Sequence, residues 1–150
     1  MSLDSSHQKR EFSATVVGIA DDSVLEKLGA AVSWLSVLRT WTLGPPQILQ
    51  CAAGSPDEEE SYGLVLDIYS ALPPWDERLP FAIDLAHYNE ISLVIDVLST
   101  LSGQSSYELE CYLDDVYVGS IVEGIADRLI QEGLLGEWRR HLDKGNGEHV

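Results

Sequence analysis

Tyr107-Glu108-Leu109-Glu110-Cys111-Tyr112-Leu113-Asp114-Asp115-Val116-Tyr117-Val118-Gly119-Ser120-Ile121 is the stretch on which the fold turns. Tyr107, Leu109, Cys111 and Leu113 alternate with Glu108, Glu110 and Tyr112, the period-two pattern of a half-buried strand. Asp114-Asp115 makes the turn and Val116 to Ile121 returns as the partner strand. Asp-Asp is a weaker hairpin signal than Asp-Gly, because both central residues of a type I′ turn need positive φ. The hairpin nevertheless implies antiparallel pairing, and the rest of the chain is read around it.

Working toward the N-terminus, Asn89 caps a helix whose stripe is Ile91, Val94, Ile95, Leu98 and Leu101, closed by Gly103. Phe81, Ile83 and Leu85 alternate with Ala82, Asp84 and Ala86 and predict a strand, with a helix starting near Pro80 as the competing reading. Pro73 to Arg78 is irregular because paired prolines remove two donors and fix φ. Tyr62 to Ser70 is a strand, with Leu64, Leu66 and Ile68 on one face and Val65, Asp67 and Tyr69 on the other. Gly54 to Glu60 is an acidic loop, and Gln47 to Ala52 is a short strand. Val24, Leu28, Ala31, Leu35 and Leu38 give a helix over Ser23 to Arg39, capped by the Asp21-Asp22-Ser23 run and followed by Gly44-Pro45-Pro46. Glu11 to Ala20 is the first strand. Beyond the hairpin, Ile125, Leu129 and Ile130 begin a last helix, interrupted at Gly133 and resumed through Leu134, Leu135, Trp138 and Leu142. The expectation is an α+β fold: a two-layer sandwich with a mainly antiparallel sheet of about six strands and three helices packed on one face. Residues 1–150 make one domain, with polar, flexible tails at 1–10 and 143–150.

The 150 residues are 45% hydrophobic and 23% charged, which is globular composition and excludes disorder. The departure is in sign: 25 Asp and Glu against 9 Lys and Arg, a formal net charge of −16. Such a polyanion repels phosphate backbones and anionic lipid, so neither direct nucleic-acid binding nor membrane-surface binding is expected. The N-terminus has no apolar run, and no apolar stretch approaches the ~18 residues of a membrane span. Cys51 and Cys111 sit in apolar segments and read as buried free thiols, which places the chain in a reducing cytoplasm.

Chemistry-bearing patterns are sparse. The glycines form no phosphate-binding motif, two cysteines cannot fill a zinc shell, and the contiguous carboxylates lack the alternate spacing of a calcium loop. No catalytic residue, metal or cofactor is therefore assigned. His87 near Asp84 is the one acid–base candidate, but no nucleophile at a recognisable spacing joins it, and it reads as a histidine bonded to backbone. The remaining constellation lies on the hairpin. Glu108, Glu110 and Tyr112 share a face, the turn adds Asp114 and Asp115, Tyr117 returns beside them, and Glu123 and Asp127 follow. Tyrosine anchors among carboxylates suit a basic protein partner, whereas the plainer reading is a solvated sheet face.

Tyr107 to Leu142, with Gly119, Gly124, Asp127 and the run Gly133 to Trp138, resembles small bacterial immunity proteins of polymorphic and contact-dependent toxin systems. The resemblance covers about a third of the chain and carries no catalytic residue. It implies a bacterial cytosolic protein that neutralises a toxin by covering it. The expected activity is thus a non-enzymatic, immunity-type inhibition of a basic, nuclease-like toxin through Glu108, Glu110, Tyr112, Asp114, Asp115, Tyr117 and Glu123. The alternative is a homodimer or other homo-oligomer, or a small-ligand protein whose sheet–helix groove is lined by Trp41, Trp75 and Tyr88.

Overall fold

A computed structural model describes residues 9–18, 21–51, 60–69 and 80–147. Six strands form one sheet: β1 (Lys9–Val16), β2 (Gln47–Cys51), β3 (Ser61–Tyr69), β4 (Leu109–Leu113), β5 (Val116–Val122) and β6 (Ile125–Ala126). The spatial order is β2-β3-β1-β4-β5-β6, and every pairing is antiparallel. Helices α1 (Asp22–Leu38), α2 (Phe81–Ser105) and α3 (Glu137–Gly147) and a π-helical turn at Leu129–Gly136 complete the described residues. The result is the α+β sandwich expected, with helices on one face of the sheet.

Strand β1 lies between β3 and β4 and sets the register of both. Phe12 is paired with Leu66 and Leu113, and Ala14 with Leu64 and Cys111. Because side chains alternate, Phe12, Ala14, Val16, Leu64, Leu66, Ile68, Leu109, Cys111 and Leu113 all point inward and are buried. Val24, Leu28 and Leu35 of α1 and Ile91, Val94, Ile95 and Leu98 of α2 close over them in one cluster. Asp21 caps α1 as its sequence promised, its carboxylate accepting the Val24 N–H at 3.0 Å.

The segment at 81–86 is the first turns of α2, not a strand. Asn89, expected as a cap, lies inside that helix. The physical reason is that the buried face here is polar: Asp84, His87 and Glu90 recur at a spacing of three and run into Ile91, Val94 and Ile95. The apolar Leu85 faces outward, so hydropathy alternated while burial followed the helix. Six strands are reached instead through β6, where Ile125 was expected to begin a helix.

Gly133 does not interrupt the C-terminal helix either. Ile130, Leu134, Trp138 and Leu142 are buried at a strict spacing of four, longer than the ~3.6 residues of an α-turn. The π turn holds more residues, with the Glu137 N–H reaching the Glu132 carbonyl five positions back, and so keeps all four on one line. Trp138 anchors this helix on α2 rather than on the sheet: its Nε1 donates to Asp84 Oδ1 at 2.7 Å and its ring meets Tyr88 edge-on. Of the residues expected in polar tails, Lys9 and Arg10 belong to β1 and 143–147 to α3, while 1–8 and 148–150 lie outside the described residues. Residues 54–59 of the acidic loop and the whole Pro73 to Arg78 segment, Trp75 included, lie outside the described residues.

Gly119 makes the close approach between β5 and the π turn possible. Its φ is +138°, and a Cβ there would stand 2.4 Å from Ile130 Cγ1 and 2.6 Å from Asp127 Oδ1. Gly119→Ala is expected to cost roughly 2–4 kcal/mol from backbone strain and overpacking, read as a lowered urea midpoint. At the β4–β5 turn, Asp114 and Asp115 both have positive φ, 50° and 67°. Asp115→Gly should therefore stabilise by about 0.5–1 kcal/mol in the same measurement.

Candidate functional site

The structure separates the seven residues singled out from the sequence into three places. Glu110, Tyr112 and Tyr117 stand together on the face of the sheet that no described helix covers. Tyr112 donates its phenol proton to Glu110 Oε2 at 2.6 Å, and the Tyr112 and Tyr117 rings meet edge-to-face at 5.9 Å. The bond to Glu110, with burial second, pushes the Tyr112 phenol up to about 12, so the phenol keeps its proton and stays a donor at any physiological pH. Asp114 and Asp115 occupy the hairpin tip. Asp114 is used internally: its Oδ1 accepts the Glu11 N–H at 2.9 Å, and its Oδ2 lies 3.8 Å from Arg10 Nε. Asp115 forms no ion pair among the described residues.

Glu108 and Glu123 are at the other end of the hairpin. Six residues of extended chain put Glu108 about 20 Å from Asp114, while only two separate it from Glu110, so the seven residues are strung along the hairpin rather than gathered at its tip. Glu123 sits at positive φ in the β5–β6 turn beside Gly124. Asp127 is structural, its two oxygens accepting the Ser120 N–H at 3.0 Å and the Ile130 N–H at 3.1 Å, which caps the π turn.

Two carboxylates that the sequence reading left out join the open face. Glu11 is opposite Asp67 across β1 and β3, and Thr15 is opposite Glu110 across β1 and β4. Like charges directly across a sheet destabilise it, so the Glu11–Asp67 pair is a local cost that a cation would relieve. The signal for Asp67 was present in its position opposite the apolar set of β3; its pairing with Glu11 depended on register. Lys9 is the cation at the margin of this surface, opposite Tyr69.

The second cluster of titratable groups is interior. Glu90, fully buried, accepts the Thr42 N–H at 3.0 Å and the Thr42 hydroxyl at 2.6 Å through Oε2, with Arg39 Nη2 3.7 Å away. His87 Nε2 accepts the Tyr69 N–H at 3.3 Å, so its ring proton is on Nδ1, which lies 3.4 Å from Glu90 Oε1 without hydrogen-bond geometry. Asp84 pairs instead with Trp138 and with His141 Nε2 at 3.4 Å. Asp84 and His87 thus face different partners, and His87 is bonded to backbone as read from sequence. Burial raises the Asp84 pKa against the opposing pull of Trp138 and His141. For Glu90 burial also pushes upward, but the nearby His87 imidazole and the hydrogen bonds from Thr42 outweigh it and hold the carboxyl below its ordinary range.

Trp41 and Tyr88, expected to line a ligand groove, belong to the core. Trp41 is buried with its Nε1 on the Leu35 carbonyl at 3.0 Å, and Tyr88 packs on Trp138. Hollows open elsewhere: one of about 390 Å³ lies between α1 and α2, beside Lys27, Trp34 and Leu101. Cys111 is buried and its thiol is pushed up to about 12 by burial and by Asp127, which leaves it inert. No metal-holding group of three His, Cys, Asp or Glu residues occurs among the described residues, and no helix there is long and apolar enough to cross a membrane.

No protein-family model, no curated protein and no solved structure matches this chain.

The two interior carboxylates act on stability in opposite directions. The raised Asp84 contributes stability that is complete below the ordinary Asp range and is lost as pH rises through its folded pKa. The lowered Glu90 contributes stability present above the ordinary Glu range and lost as pH falls through its folded pKa. Asp84→Asn should flatten the alkaline side of the stability–pH curve of that transition. Glu90→Gln should flatten the acid side and cost about 1.5–3 kcal/mol at neutral pH, where a charged acceptor is lost. Urea midpoints collected from acid to neutral pH distinguish the two.

Proposed function

We propose that this chain is a non-enzymatic, acidic protein-binding module of the bacterial cytoplasm, an immunity-type inhibitor that covers a basic, nuclease-like toxin. The observation that carries the reading is the helix-free face of the sheet, where Tyr112 and Tyr117 pair between Glu110 on one side and the opposed Glu11 and Asp67 on the other. Rigid aromatic rings supply contact area at little entropic cost, and ordered carboxylates bond Arg and Lys. A strand surface holds these groups more firmly than a loop would. The net charge of −16 supports a cationic protein rather than a second copy of the chain, because two such surfaces repel. The same carboxylates would stand where a nuclease holds phosphates, which accounts for inhibition without chemistry.

The test is capture of the toxin domain encoded beside the gene, with inhibition of its nuclease activity read in parallel. Glu110→Lys and Tyr112→Ala are each expected to cost about 2 kcal/mol or more in affinity. Association should slow steeply as salt rises. Unchanged capture and inhibition by both variants would remove the open face from the interaction.

A further inference from the structure

Helices α1 and α2 pack side by side on the face of the sheet opposite the carboxylates, and a hollow of about 390 Å³ lies between them. The sequence of α1 makes the notch. Ala30 and Ala31 stand between the long side chains of Lys27 and Trp34, so the helix surface sinks where it meets Val97 and Leu101 of α2. Thr100, Gln104 and Ser105 of α2 add a polar lip. Lys27 and Trp34 are seven residues apart on one helix, which makes the hollow about 10 Å long. At its far end the Trp34 ring is 59% accessible, a large apolar group left in water.

Lys27 is the one ionised residue lining the hollow, and it is held in place. Its Nζ donates to Ser105 Oγ at 3.2 Å and lies 5.4 Å from the centre of the Tyr107 ring. Arg10, Arg39 and Arg128 each have a carboxylate partner, at 3.8, 3.7 and 3.6 Å. Lys27 has none among the described residues, although acids outnumber bases by 25 to 9. An ammonium has three donors, so the bond to Ser105 leaves two for an anion. Glu26 and Asp96, exposed beside lining residues in the sequence, do not line the hollow. The net charge of −16 opposes any anion at long range, which restricts the occupant to a single charge and requires an apolar body to supply most of the affinity. The volume lies within the ~300–1,000 Å³ of small-molecule sites, and a trough of this length suits a slender chain.

We propose that the hollow between α1 and α2 binds a medium-chain fatty-acid anion. Its carboxylate meets Lys27, and its alkyl chain lies over Ala31, Val97 and Leu101 toward the Trp34 ring. A neutral chain of the same length would leave the Lys27 ammonium without its anion, and a cationic one would meet it with like charge. The site is on the helical layer, away from Glu110 and Tyr112, so it stands independently of the basic partner proposed for the open face.

The experiment follows backbone amide shifts of the full chain titrated with octanoate, octanol and octylammonium, each below its micelle concentration. Octanoate should shift Ala31, Trp34, Val97 and Leu101, together with the Trp34 indole N–H. Octanol should bind about fivefold more weakly, and octylammonium more weakly again. Lys27→Met keeps the apolar stem and should bring octanoate down to the affinity of octanol. Ala30 is exposed, so Ala30→Leu fills the notch from outside the core and should abolish the shifts with every probe. Trp34→Ala serves as the second variant should the first fail to fold, and should weaken octanoate and octanol alike. Absence of octanoate shifts at these amides, an octanoate preference that survives Lys27→Met, or octylammonium binding as tightly as octanoate overturns the proposal. Self-association in sedimentation that Ala30→Leu abolishes overturns it in favour of a second copy of the chain. Toxin capture lost in folded Ala30→Leu, with no octanoate shifts in the unsubstituted chain, overturns it in favour of a protein partner.

Discussion

Strand β1 is held on both edges, and its inward row of Phe12, Ala14 and Val16 is the contact on which the other elements depend. Its partners come from distant parts of the chain, β3 fifty residues on and β4 nearly a hundred, so the sheet closes only when long loops have closed with it. Pairing of this kind is slow to nucleate and cooperative once formed. It also fixes parity for the whole sheet: a one-residue slip of β1 would turn Phe12 outward and bring Glu11 into the core. The hydrogen bonds between Glu11 and Asp114 secure that register at the hairpin tip, one of them through a side chain, which explains why Asp114 is not free to serve a partner.

The interior beneath the sheet is less uniform than its composition implies. Helix α2 meets the core with Ile91, Val94, Ile95 and Leu98 in one half and with Asp84, His87 and Glu90 in the other. Each of those polar groups ties α2 to a different element: Glu90 to the segment after α1, His87 to the end of β3, and Asp84 to α3. Buried polar contacts that are nearly satisfied specify geometry more than they add stability. The arrangement reads as a set of three clamps that orient the helical layer, with the Nδ1 of His87 and the Oε1 of Glu90 left without hydrogen bonds among the described residues.

Placing polarity inside the helical layer and carboxylates on the bare face of the sheet divides the titratable groups into two populations with different work. Interior groups answer to stability and to pH. Those outside answer to what approaches from solvent. Among the described residues Glu11 and Asp67 have no ion pair on the outer face, where Lys9 stands at the margin, whereas Asp114 and Asp127 are absorbed by backbone donors. That distinction, more than the total charge, separates residues free to bind from residues that merely look acidic in the sequence.

Period-two alternation in Tyr62 to Ser70 and Tyr107 to Leu113, the Asp21 cap and the stripe through Val24, Leu28 and Leu35 were enough to define an antiparallel sheet with helices on one side. Local pattern and local hydrogen bonding govern those features. The strand expected at Phe81 failed because a helix face buried through Asp84, His87 and Glu90 carries no hydropathic signature. The break expected at Gly133 failed because the four-residue spacing of Ile130, Leu134, Trp138 and Leu142 was accommodated by a wider turn. Glu110, Tyr112 and Tyr117 were legible as neighbours on a hairpin. The distance of Glu108 and Glu123 from the tip and the entry of Glu11 and Asp67 were decided by strand register. Sequence spacing determines which side of an element a residue occupies, but only packing between elements decides what stands across from it.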